Sequence, residues 1–254
     1  MLQVSHITKK YGKVFACDDV TFSLDRGSVT VLLGPNGAGK STVLKSVIGV
    51  LRYTGEIAID GLYNKSVEAK RLFGYVPEIP SLYPNLTVSE HVEFIARAYR
   101  LKDYQGYADE LFERFELADK KKKFGDELSK GMQQKLNLIL GLVTRPQLLI
   151  MDEPMIGLDP HAIKELKNVI SELRAAGSTL LVSTHIIDSV TELWDRALIM
   201  QTGRIRANVT KAELDAEGRS LEELFFAITE HRSENGEVVF DAPEGPDAGE
   251  GAPS

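Results

Sequence analysis

Hydrophobic and polar positions alternate at the start of the chain, so residues 2–8 and 14–24 read as strands able to pair antiparallel. Residues 28–33, Ser-Val-Thr-Val-Leu-Leu, form a short β-branched apolar run that ends at a glycine-rich turn, the pattern of a strand buried on both faces. A helix is expected over 41–50. Further buried strands fall at 147–151, 178–183 and 197–200, with a turn at Thr202-Gly203 before a strand over 204–207. The period changes in the middle. Thr87-Val-Ser-Glu90 matches a capping box, and Val88, Val92, Ile95 and Tyr99 then share one helical face. Residues 103–117 and 130–144 also read as helices, which places a helical insertion over about 80–145 and predicts two lobes. Another helix opens at Asp159-Pro160, an N-cap acid followed by a first-turn proline, with Ile163, Leu166, Ile170 and Leu173 on its buried side. Together these elements predict an α/β fold: a mixed, mostly parallel sheet with antiparallel N-terminal strands and an inserted helical subdomain.

Composition narrows the class. A chain of 254 residues, 43% hydrophobic and 26% charged, can bury a sizeable core and is neither collagen-like nor largely disordered. No apolar run approaches the roughly 18 residues that a membrane helix needs, and the N-terminus lacks the basic-then-apolar order of a secretory signal, so a cytoplasmic chain is expected. Cys17, the single cysteine, excludes an internal disulfide and a cysteine-based zinc site and reads as core. The net charge is −7, but six acids against one base in residues 232–254 carry five of those charges. The near-neutral remainder offers no electrostatic footprint for nucleic acid. Acids spaced by Gly, Pro and Ala make 232–254 an expected disordered tail beyond a domain over 1–231. Lys120 to Lys123 reads as a solvated loop.

Candidate chemistry sits at two strand ends. Gly34, Pro35, Asn36, Gly37, Ala38, Gly39, Lys40 and Ser41 satisfy the phosphate-binding P-loop pattern between a buried strand and a helix. Backbone N–H groups of such a turn converge on an anion, and the following helix points its positive end at the same place. Lys40 would reach the β- and γ-phosphates of a nucleotide, and the Ser41 hydroxyl would help hold Mg²⁺. The second strand, Leu148-Leu-Ile-Met, ends in Asp152 and Glu153. Asp152 would serve the metal, and Glu153 could polarise the water that attacks the γ-phosphate.

Between these motifs stands Leu128-Ser129-Lys130-Gly131-Met132-Gln133-Gln134-Lys135, immediately before a helix, which resembles the LSGGQ signature of ATP-binding cassette (ABC) proteins. The resemblance extends from about residue 2 to 230. It implies a P-loop ABC ATPase that hydrolyses ATP with Mg²⁺. It also implies that Tyr11 stacks on adenine, Thr42 belongs to the ATP-binding loop, Asp159 in Gly157-Leu-Asp-Pro160 forms the D-loop and His185 is the switch histidine. Ser129, Lys130, Gly131 and Met132 would face ATP held by the opposite subunit of a homodimer or of a heterodimer with a second ABC ATPase. A separate permease would carry the membrane-spanning segments, docked near Glu78, Tyr83 and Leu86, so that this subunit lies on the inner face of the membrane. Three positions depart from the commonest pattern: Glu78 replaces the Q-loop glutamine that contacts Mg²⁺, and Lys130 and Met132 replace the third and fifth signature residues. The run from Tyr75 to Val88, Ser129-Lys-Gly-Met and Gly157-Leu-Asp-Pro resembles drug, antibiotic, peptide and lipid exporters more than import ATPases. Two alternatives carry less support. A soluble cassette acting on nucleic acid or ribosomes would bring a long coiled coil or a second cassette, and neither is present. A regulatory module without turnover does not need Lys40, Asp152, Glu153 and His185 together.

Overall fold

The computed structural model describes residues 1–230; the expectation for the acidic tail lies outside them. In chain order, β1 (Leu2–Tyr11), β2 (Val14–Leu24) and β3 (Val29–Leu33) precede α1 (Lys40–Val47), β4 (Thr54–Ile59), β5 (Leu62–Tyr63), α2 (Val67–Lys70) and β6 (Phe73–Val76). The helical insertion follows as α3 (Val88–Tyr99), α4 (Gln105–Arg114) and α5 (Lys130–Leu142). The chain then forms β7 (Leu148–Asp152), α6 (Pro160–Ala175), β8 (Thr179–Thr184), β9 (Arg196–Gln201), β10 (Arg204–Thr210), α7 (Lys211–Ala216) and α8 (Leu221–Thr229). Strands β2-β1-β4-β5 make an antiparallel sheet, and β10-β9-β3-β8-β7-β6 make a second sheet that is parallel apart from β10. Every side chain of β3 is buried because β8 and β9 flank it and both sheet faces are covered.

The period of two divides the apolar residues between two cores. Val31, Leu149, Met151 and Val182 face α3 to α6, whereas Leu32, Leu148, Ile150 and Leu181 face α1 and the antiparallel sheet. Val88, Val92, Leu111, Phe112 and Leu136 of the insertion belong to the first of these cores, so the insertion is joined to the sheet along α5. Thr87 caps α3 in the expected box. Cys17 lies in the second core, where burial pushes its thiol up to about 12 and makes it inert.

Some expectations move. Helix α1 stops at Val47, short of residue 50, because Gly49 takes φ +81°. On α6 the buried face is Ala162, Leu166, Val169, Ile170 and Leu173, with Ile163 only half-buried. Strands β4, β5 and β6 and helices α2, α7 and α8 had no sequence prediction. The strands are short and glycine-containing or exposed; β6 is recognised only by its partner, since Gly74 lets α5 approach so closely that a Cβ there would lie 2.7 Å from the Gly141 carbonyl oxygen.

Candidate functional site

The loop from Gly34 to Gly39 leaves the end of β3 and delivers Lys40 to the first turn of α1. Gly39 takes φ +107°, and a Cβ there would sit 2.1 Å from the Ala16 carbonyl oxygen, so β2 presses directly on the loop. The Ala38 carbonyl accepts from the Gly203 N–H at 3.0 Å, which ties the loop to the β9–β10 turn. Lys40 is buried, and its Nζ donates to the Gly34 carbonyl at 2.7 Å and the Pro35 carbonyl at 3.3 Å. The same Nζ lies 3.4 Å from Glu153 Oε1.

Asp152 closes β7 and accepts from the Ser183 hydroxyl, while the Glu153 N–H donates to the Ser183 carbonyl at 3.0 Å. Glu153 takes φ +47°, a left-handed turn that swings its side chain away from the strand direction. Its Oε1 meets His185 Nδ1 at 2.8 Å, and because a carboxylate only accepts, that nitrogen carries the proton. Its Oε2 is buried without a partner. A cleft of about 340 Å³ is lined by Tyr11, Ala16, Asn36 to Thr42, Glu78 and Glu153. Four segments distant in sequence therefore converge where the parallel strands end, the usual ligand position of such sheets. Ser183 was missed from sequence, although the parallel register that sets it opposite Asp152 makes it the partner on that face. Ser41, Glu78 and Glu153 line the cleft, and Asp152 lies buried one residue before Glu153 without lining it; their oxygens are hard donors of the kind Mg²⁺ takes together with phosphate and water.

Ser129, Lys130, Gly131 and Met132 do not line this cleft. Ser129 caps α5 by accepting from the Met132 N–H at 3.3 Å, Lys130 is exposed and Met132 packs half-buried against the core. Gly131 abuts the turn that leads to Asp159, where a Cβ would lie 3.3 Å from the Gly157 carbonyl oxygen. Asp159 caps α6 through the Ala162 N–H at 2.9 Å and meets Lys135 Nζ at 2.7 Å. That same Nζ reaches Glu116 Oε2 at 2.8 Å. Burial opposes the Lys135 charge, but Asp159 and Glu116 outweigh it and raise the ammonium above its ordinary range. Lys135, and then the Ala162 N–H, hold Asp159 below the usual carboxylate range. From the same helix Asn137 Nδ2 donates to the Pro77 carbonyl at 2.8 Å, and Gln134 Nε2 reaches the Pro154 carbonyl at 3.5 Å. Helix α5 thus touches the loops that carry Glu78, Glu153 and Asp159. Gln134, Lys135 and Asn137 gave no separate sequence signal because an amphipathic helix also places polar residues at such positions.

Lys135→Met should lower stability in urea unfolding by about 1 kcal/mol, a small value because both carboxylate partners are largely solvent-screened. Asp159 has a depressed pKa, so its share is complete at neutral pH and is lost as pH falls below about 4. The gap between wild type and Lys135→Met should narrow in that acid range; a gap independent of pH would contradict the pairing.

A glycine loop between buried strand and helix, set against an acidic strand end across one cleft, defines a P-loop nucleotide-binding protein. The ABC transporter family profile matches residues 17–156. The ABC-type transporter ATP-binding protein EcsA of Bacillus subtilis (strain 168) is 34% identical over 238 residues, covering 90% of this chain and 96% of that protein. The SkfA peptide export ATP-binding protein SkfE of the same organism is 32% identical over 224 residues, covering 86% and 94%. The dimeric post-hydrolysis structure of the ATP-binding cassette MJ0796, bound to ADP and Pi, aligns with a TM-score of 0.75 at 25% identity, covering 83% of this chain and 98% of that one. The chain belongs to the ABC transporter family: it is the ATP-binding, ATP-hydrolysing subunit of a transporter. Among the described residues no helix is long and apolar enough to cross a membrane.

Proposed function

We propose that this subunit drives an exporter, through ATP-dependent closure of a dimer coupled to a separate permease on the inner face of the cell membrane. The observation that carries this reading is that the cleft around Lys40 lacks Ser129 to Met132, which stand elsewhere on the same chain. Two such chains, or this chain and a related ATPase, complete each other's sites head to tail. N–H groups of Asn36 to Thr42 and the Lys40 ammonium hold the phosphates, and Tyr11, half-exposed at the cleft, stacks on the base. Ser41, Asp152 and Glu78 hold Mg²⁺, which when bound neutralises charge on the transferring phosphoryl group. Ser183 and His185 fix Asp152 and Glu153, leaving Oε2 of Glu153 to take a proton from the attacking water. Across the interface, the Ser129 oxygen already accepts from Met132 and its O–H remains to donate to phosphate, while Lys130 adds positive charge. Nucleotide binding selects the closed pair, and loss of the γ-phosphate contacts releases it.

The permease docks beside Glu78. Ile79, Tyr83, Phe94 and Phe124 are exposed there, with the Tyr83 and Phe94 rings edge-on at 5.4 Å, and Leu86 lies half-buried below them. A chain with this many exposed apolar side chains around one loop gains from covering them. The peptide-export relative supports the exporter branch. Ile79→Asp with Tyr83→Ala should abolish co-purification with a membrane protein while ATP affinity stays within about two-fold. Recovery of nucleic acid or ribosomes instead of a membrane partner from the wild-type chain would overturn the transporter reading.

A further inference from the structure

Tyr75 lies in β6, which pairs in parallel with β7 so that Tyr75 stands opposite Ile150. Alternation puts Tyr75 on the sheet face shared by Ile150 and Asp152, where it packs against the core that holds Phe73 and Leu148. Its hydroxyl oxygen is buried and makes no hydrogen bond. Glu78, three residues on, is exposed at the nucleotide cleft. Burial, then the charges of Asp152 and Glu78, push the Tyr75 hydroxyl above its ordinary range, so it keeps its proton and can donate to a carboxylate that reaches it. A buried hydroxyl left unpaired costs stability, and such departures from local rules gather at functional sites.

The geometry points to Tyr75 as a positioning residue of the metal site: its O–H donates to the Glu78 carboxylate when that side chain folds back from solvent, and so holds Glu78 against Mg²⁺. This assignment rests on the reading of Glu78 as a metal ligand.

The test compares Tyr75→Phe, Glu78→Gln and the double variant in the full chain. Binding of a fluorescent ATP analogue is titrated with Mg²⁺, and melting is followed in EDTA without nucleotide. Tyr75→Phe should raise the Mg²⁺ concentration for half-maximal binding about three- to ten-fold, leave metal-free nucleotide affinity unchanged, and melt at or slightly above the wild-type temperature. Glu78→Gln should shift the Mg²⁺ requirement as well, and the double variant should shift no further than the larger single one. Additive shifts, an unchanged Mg²⁺ requirement in Tyr75→Phe, or a lowered melting temperature with weaker metal-free binding would each overturn the role given to Tyr75. If Glu78→Gln itself leaves the Mg²⁺ requirement unchanged, the metal-ligand reading of Glu78 fails and the assignment falls with it; a shift in Glu78→Gln alone sinks only the assignment.

Discussion

Glu153→Gln should bind ATP at least as tightly as wild type and hydrolyse it at least about 100-fold more slowly, the range expected when a positioned general base is lost. The amide keeps the volume and can still meet His185 and Lys40, both of which now touch Oε1. It cannot take a proton at the place of Oε2, the oxygen that the fold leaves without a partner. Removing a buried negative charge beside the phosphate cradle also lowers repulsion of the triphosphate, so affinity does not suffer. Blocked turnover traps the closed pair, visible as a dimer on size-exclusion chromatography with Mg²⁺ and ATP. Phosphate release near the wild-type rate would remove Glu153 from the chemistry; a monomer throughout would remove the shared-site mechanism while leaving the nucleotide site intact.

The second large effect concerns backbone. Gly39→Ala should destabilise the protein by about 3–5 kcal/mol and abolish ATP binding. The added methyl falls 2.1 Å from the Ala16 carbonyl oxygen and 2.7 Å from Met200 Cε, at a φ of +107° that side chains rarely adopt. Methionine can move, but the Ala16 carbonyl belongs to β2, and shifting it means shifting the antiparallel sheet relative to β3. Either the loop opens and loses its converging N–H groups, or the sheet yields and stability falls. Urea unfolding combined with nucleotide titration reads both, and a stable variant with wild-type ATP affinity would show that the close contact with β2 is not needed.

How much of the site was legible follows from what each signal depends on. Lys40, Asp152 and Glu153 stood out because each directly follows a compact apolar strand or opens a helix, and such patterns involve only near neighbours in the chain, whereas His185 entered only through the resemblance to the ABC family. The capping box of α3 and the N-cap of α6 at Asp159 are local in the same sense, since donor and acceptor stand three residues apart. Ser183 was not assigned a role because its partner lies 31 residues away and becomes its neighbour only through the pairing of β7 with β8. Lys135 read as one polar position on a helix until the fold brought Glu116 and Asp159 to its ammonium from two directions.

The sequence by itself determined that a phosphate cradle and an acidic strand end exist, that helices interrupt the strands between them, and that no membrane-spanning helix lies within the described residues. Only the tertiary structure decided that Ser183 meets Asp152, that one oxygen of Glu153 is buried without a partner, and that Tyr75 and Asp152 share a sheet face. Periodicity and capping arise from residues within a few positions of each other, whereas strand order and register arise from contacts between distant segments, and these set which side chains finally meet.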